Sequence, residues 1–260
     1  MRARYKTKLS KIESSTYPLK DFTCSVAIDC SCEIWMVLVR YKIFPHIVTH
    51  IITDLEEGLT ILYRDIVNRC CQKLKSYYDP LCLISPDTVE YIFDHPHHTN
   101  SYKSHEMVSR SCDLNDAIKI FELAYTFHPS DTPFLISCLN NIIKCDTRRI
   151  SHMVYNKMQR LDYVCIQSPS QYFYDADVYC GKRYKIVVSH DLDVLLFGSL
   201  VIIKNINHDT MDVVTYEDFM YRASVTTMDA LRNLCILLGT DYNDDEKPHF
   251  INRVKDIDIV

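Results

Sequence analysis

Short apolar runs and longer helical stretches alternate along this chain. Val26-Ala27-Ile28, Tyr91-Ile92-Phe93, Ile186-Val187-Val188 and Val201-Ile202-Ile203 are continuous apolar segments rich in β-branched residues. Such runs are the mark of strands buried on both faces. On this pattern strands are expected at Phe22 to Ile28, Pro80 to Ile84, Glu90 to Phe93, Tyr163 to Ile166, Lys185 to Val188 and Val201 to Ile203. Helical patterning is read over Glu33 to Phe44, Ile47 to Lys75, Ser104 to Phe127, Ile136 to Met158, Thr215 to Tyr221 and Thr227 to Leu238. The last of these is opened by a Thr226-Thr227 cap. His95 to Tyr102 reads as a loop. Strands that alternate with helices predict an α/β fold, a mostly parallel central sheet flanked by helices on both faces.

Three of the apolar strands close on an aspartate: Asp29, Asp94 and Asp191. In a parallel sheet all three strands end at the same edge, which is where α/β folds place their ligands. Asp193 follows Asp191 by two residues. Asp241 stands just past the Gly-terminated apolar segment Leu234 to Gly239. A single aspartate after a strand is ordinarily a turn or cap residue, and Asp191 with Asp193 would cap the helix that follows. Five at strand edges with matching flanks instead predict a shared site. Two carboxylates about 4 Å apart repel by roughly 4 kcal/mol at an effective dielectric near 20. Hard divalent cations relieve that repulsion, and magnesium prefers such oxygen ligands. Metal-dependent phosphodiester chemistry is the expected use.

Composition changes this picture little. The 260 residues are 47% hydrophobic and carry a net charge of −5, which excludes a uniformly basic nucleic-acid coat. The 12 cysteines are scattered without paired CxxC sets, so they read as reduced, buried, intracellular thiols rather than a zinc site. No apolar run approaches membrane-spanning length, so no membrane partner is expected. Residues 1–22 are basic and polar (Arg2, Arg4, Lys6, Lys8 and Lys11) and read as an N-terminal arm. His95, His97 and His98 beside Asp94 read as an exposed polar loop rather than a zinc or nickel site, and Tyr77-Tyr78 as packing.

With these residues in view, the chain resembles the flap-endonuclease/XPG family of structure-specific 5′ nucleases, whose core is PIN-like. Val26-Ala27-Ile28-Asp29-Cys30-Ser31 looks like the family's first strand and first metal carboxylate. Tyr91-Ile92-Phe93-Asp94, with Lys103-Ser104 and Arg110-Ser111 beyond it, looks like the second carboxylate and its basic helix. Asp191-Leu192-Asp193 with Leu195, Phe197 and Gly198 looks like the internal acidic motif, and Leu234 to Tyr242 like the segment ending in the last ligand. The resemblance implies a nuclease core over residues 23–243 and a short tail over 244–260 that lacks a clear helix-hairpin.

The resemblance further implies two Mg2+ ions, with Mn2+ able to substitute, held by Asp29, Asp94, Asp191, Asp193 and Asp241. Lys103 and Arg110 would act on the scissile phosphate, and Arg40 and Arg64 would contact the nucleic-acid backbone. The implied partner is flapped or branched DNA, with RNA an option, in the nucleus or cytoplasm. Three departures stand out. The chain begins Met1-Arg2-Ala3-Arg4 without the family's glycines. Pro169-Ser170-Gln171-Tyr172-Phe173 lacks the family's acidic pair after its proline. Asn243-Asp244-Asp245-Glu246 replaces a glycine-rich hairpin. Asp175 and Asp177, about one helical turn further on, are the candidate replacements for the missing pair. The alternative is a catalytically silent nucleic-acid-binding relative.

Overall fold

The computed structural model describes residues 15–18, 25–84, 88–96, 104–172, 175–207, 210–231 and 233, with the backbone alone at 15–18, 84, 104–112 and 222. The strands are β1 (Ser15–Pro18), β2 (Val26–Asp29), β3 (Val89–Phe93), β4 (Cys165–Gln167), β5 (Ile186–Val188), β6 (Val201–Ile206) and β7 (Thr210–Thr215). They form one sheet in the order β1-β7-β6-β5-β2-β3-β4. β4, β3, β2, β5 and β6 run parallel. β7 returns antiparallel to β6, and β1 lies antiparallel to β7. The fold is therefore α/β with a mostly parallel sheet.

Helices fill the crossovers. Between β2 and β3 lie α1 (Cys30–Arg40), α2 (Pro45–Thr53), α3 (Leu55–Lys75) and α4 (Tyr78–Ile84); between β3 and β4 lie α5 (Ser104–Phe127), α6 (Thr132–Cys145) and α7 (Thr147–Gln159). α8 (Ala176–Arg183), α9 (Asp193–Phe197) and α10 (Tyr216–Arg222) follow. The strand alternation divides the core. Val26, Ile28, Tyr91, Phe93 and Val188 point into one cluster with Leu62, Ile66 and Val154 of α3 and α7. Ala27, Ile92, Val187 and Ile202 point into the other with Cys180, Val194 and Leu195 of α8 and α9. β2, β3 and β5 are thus covered on both faces, which is why each reads as a continuous apolar run.

Several elements differ from the sequence expectation. Pro80 to Ile84 is helical: Leu81 is buried and its amide bonds the Tyr77 carbonyl at 3.0 Å. A five-residue apolar run carries no period long enough to separate strand from buried helix. The stretch 47–75 is two helices, broken at Asp54, whose side chain accepts from the Glu57 amide at 3.0 Å. The break lets Gly58 sit against Ile51, where a Cβ would come within 2.5 Å of the Ile51 backbone. The stretch 136–158 divides likewise at Asp146, the C-cap of α6, which also accepts a hydrogen bond from the Tyr63 hydroxyl at 2.5 Å. β7 is a strand the pattern did not single out. Within the stretch read as a basic arm, residues 15–18 pair with it. The helix expected from Thr227 begins as read, with Thr227 Oγ1 accepting from the Ala230 amide at 3.1 Å, and the chain beyond 233 lies outside the described residues.

β2 is the pivot of the sheet. The chain leaves it toward β3 and β4, then returns through α8 to place β5 on the other side of β2. A change of direction of this kind is where open α/β sheets place their ligands, at the C-terminal ends of the strands.

Candidate active site

Asp29 ends β2 opposite Ile92, Asp94 follows β3, and Asp191 stands three residues past Val188, which pairs with Ile28. The three adjacent parallel strands therefore deliver all three aspartates to one sheet edge. Each carboxylate is held by a backbone amide at the start of a neighbouring helix. Asp29 Oδ1 accepts from Cys32 N of α1 at 3.1 Å. Asp94 Oδ1 accepts from Ala176 N of α8 at 2.8 Å. Asp191 Oδ1 accepts from Asp193 N of α9 at 3.0 Å. Amides at helix starts carry partial positive charge and favour the ionised carboxylate.

Ser189 ties two of these groups together. Its hydroxyl donates to Asp29 Oδ2 at 2.8 Å and its oxygen accepts from the Asp191 amide at 3.0 Å. Asp29 is fully buried. Burial pushes its carboxyl up to about 7 from the ordinary 3.8, and the charge of Asp94 adds to this; hydrogen bonds with Asp177, the Cys32 amide and Ser189 oppose it. Asp177, in the first turn of α8, is thus close enough to Asp29 for the two carboxyls to share a proton. The Cys32 thiol is raised by burial and then by the charges of Asp29, Asp191 and Asp177, which places these three carboxylates around it.

Asp175 has a different place. It is the N-cap of α8, buried, with Oδ1 accepting from Asp177 N at 3.0 Å and Val178 N at 3.3 Å. Of the two aspartates expected to replace the missing acidic pair, the second faces Asp29 and the first builds the helix that presents it. Gln171 is exposed on the 3-10 turn Ser170–Tyr172.

Asp193 opens α9 beside Asp191. Asp241 and Lys103 lie outside the described residues. Arg110 is on α5, with only its backbone described. Arg40 ends α1, exposed; burial raises the carboxyl of Glu33, and the Arg40 charge is among those that oppose the rise. Arg64 lines a cleft between α2 and α3 with Phe44, His46 and Asn68, and none of the strand-end aspartates lines that cleft.

Sequence reasoning passed over Ser189, Cys32, Glu33 and His190. Glu33 sits one turn after Asp29 on α1, fully buried. Its Oε2 accepts from the Tyr77 hydroxyl at 2.6 Å. His190 Nε2 lies 3.7 Å from its Oε1. A glutamate on an otherwise apolar helix face was the one available signal.

Among the described residues no group of three His, Cys, Asp or Glu side chains stands close enough to hold one ion as the side chains lie; the carboxylates are turned onto amides, onto Ser189 and, for Asp29 and Asp177, onto each other. The chemistry of the donor set nevertheless fits a hard divalent cation. It is all oxygen and anionic, and its central member is buried with its ionised form disfavoured.

Residues 176–241 match the family model of the XPG I-region. The chain is 23% identical over 226 residues to Flap endonuclease 1 of Leishmania braziliensis, covering 84% of this chain and 53% of that protein. Both matches lie in the flap-endonuclease/XPG family, which is the family this chain is similar to. The I-region match begins at the first residue of α8 and contains Asp177, Asp191, Asp193 and Asp241, so it spans the half of the acidic edge that α8, β5 and α9 supply. The human GEN1 structure in complex with Holliday junction DNA aligns with a TM-score of 0.47 at 14% identity, covering 91% of this chain and 50% of that one. The chain spans about half the length of these relatives.

Proposed function

We propose that this chain is a structure-specific endonuclease that cleaves flapped or branched DNA with the help of magnesium, manganese being able to substitute. The observation that carries the reading is the meeting of Asp29, Asp94, Asp177 and Asp191 at the switch-point edge of a chain that bears an XPG I-region. Asp29, Asp94, Asp177, Asp191 and Asp193 would hold the ions from the described residues, with Asp241 joining from the I-region's last segment. A bound cation supplies positive charge to the scissile phosphate and acidifies its own water.

The chain's residues do the rest. The amides of Cys32, Ala176 and Asp193 orient one oxygen of each strand-end carboxylate, so the acidic edge is preorganised by backbone rather than by mobile side chains. Asp175 caps α8 and so sets the direction of Asp177. Lys103 and Arg110 would grip the scissile phosphate, the guanidinium through its two-pronged fork. Arg40 and Arg64, on exposed helix positions, would contact backbone phosphates away from the cut.

One observation favours a second reading, that of a silent nucleic-acid binder: the turn Ser170–Tyr172 offers Gln171 where the family pattern has carboxylates. The experiment that separates them is incubation with labelled flap, nicked duplex, single-stranded DNA and single-stranded RNA, with and without magnesium, beside an Asp191→Ala control. Magnesium-dependent cutting of the flap that the control lacks supports the nuclease. Binding of branched DNA without any cutting supports the silent binder.

A further inference from the structure

The 189–191 turn is gripped at two successive residues by the start of α1. On one side Ser189 is bonded to Asp29 Oδ2. On the other, His190 Nε2 stands 3.7 Å from Glu33 Oε1, one helical turn further along α1. Glu33 is fully buried, and Oε1 is a buried side-chain polar atom without a hydrogen-bond partner. Its other oxygen is anchored by the Tyr77 hydroxyl. Burying a carboxylate with one oxygen unsatisfied costs more than a neutral, well-packed side chain would. Nothing in the packing of α1 calls for an acid here: Ile34 and Leu38 on the same helix are ordinary core residues.

We propose that Glu33 is a positioning residue for the acidic edge: anchored by Tyr77, it holds the His190 imidazole and through it the turn that carries Asp191 and opens α9. A closure of less than an ångström turns the Glu33–His190 approach into a hydrogen bond, which satisfies the orphaned oxygen and locks the turn. Ser189 alone is a hinge about which the turn can rotate; the second attachment removes that freedom. The spacing of Asp191 from Asp29 is then fixed from both sides by α1, the element that Asp29 itself caps. Lys73 and Arg40 bring positive charge to both members of the pair, and Lys204 to His190.

The inference leans on the nuclease reading only for the use to which the fixed turn is put, so its test needs neither metal nor substrate. Amide hydrogen exchange is measured on the full chain, wild type against Glu33→Ala, Glu33→Gln and His190→Ala, in metal-free buffer. The Asp191 and Asp193 amides are bonded to Ser189 Oγ and Asp191 Oδ1, so a loosened turn exposes them. Glu33→Ala and His190→Ala are expected to speed exchange across 189–193 about tenfold or more, while β2 and β6 keep wild-type rates. Glu33→Gln, whose carbonyl can accept from the imidazole, is expected to stay within about threefold of wild type. His190→Ala probes the pair from its more accessible side and keeps the test open should Glu33→Ala not fold. Unchanged exchange at 189–193 in His190→Ala, or acceleration spread evenly over the sheet, overturns the proposal. A wild type that cuts no substrate refutes the nuclease reading and leaves the exchange result as it stands.

Discussion

Asp29→Asn is the substitution in which charge and stability separate most cleanly. Asp29 is buried completely, and burial raises its carboxyl from 3.8 to about 7. A carboxyl whose folded value is raised stabilises the fold in its protonated form. That contribution is fully present below about 4 and is lost as pH rises through about 7. At 1.36 kcal/mol per unit, the loss by pH 8 is roughly 4 kcal/mol. Asparagine cannot ionise, so it escapes the loss. Its carbonyl can still accept from the Cys32 amide, while its NH2 group faces the Ser189 oxygen and disturbs that bond at a cost of about 1 kcal/mol. A net gain of a few kcal/mol in metal-free buffer at pH 8 corresponds to a rise in Tm of about 2–4 °C per kcal/mol in a chain of this size. Thermal melts of wild type and Asp29→Asn at pH 5, 6, 7 and 8, in EDTA and in magnesium, are the assay. The variant is expected to melt above wild type at pH 8 in EDTA, to converge with it toward pH 5, and to gain nothing from magnesium, which should raise the wild type. A variant that melts at or below wild type at pH 8, with the same slope in pH, refutes the claim that Asp29 is the strained charge of the edge.

The two aspartates of the α8 start should part company. Asp175→Ala is expected to lose a helix cap and about 1 kcal/mol or more of stability, read as a lower Tm, whereas Asp177→Asn should fold normally and lose magnesium stabilisation and cleavage. Gly181→Ala would set a Cβ 2.4 Å from Phe197 Cβ and 2.7 Å from the Val194 carbonyl oxygen. Forcing α8 and α9 apart in this way is expected to cost about 1–3 kcal/mol, visible in denaturant unfolding. Arg110→Ala is expected to slow cleavage of all sequences alike and to reduce the salt slope of duplex binding by about 0.9, measured by titration at several ionic strengths; an altered sequence preference at unchanged slope would speak against a phosphate contact.

The strand pattern alone determined the parallel α/β core and the convergence of Asp29, Asp94 and Asp191, because an apolar run followed by an aspartate states both where a strand lies and where it ends. The sequence also offered Asp175 and Asp177, about one helical turn past Gln171, as candidates for the acidic pair that the family resemblance implies. Tertiary structure decided which of the two faces Asp29. That choice depends on Asp175 being taken up by the Asp177 and Val178 amides, a matter of helix capping and of how α8 packs over β2. The Ser189 bridge joins residues 160 positions apart. The Glu33–His190 approach spans a similar distance along the chain. Neither has a local signature, since each exists only because β5 crosses the sheet to lie beside β2. The pairing of residues 15–18 with β7 has the same origin: a strand at a sheet edge is specified by the partner whose amides it satisfies, and that partner is distant in sequence. The helix over Tyr78–Ile84 was hidden for the opposite reason. It is so short that its local pattern carries no period, and only the core around Leu81 selects one conformation over the other.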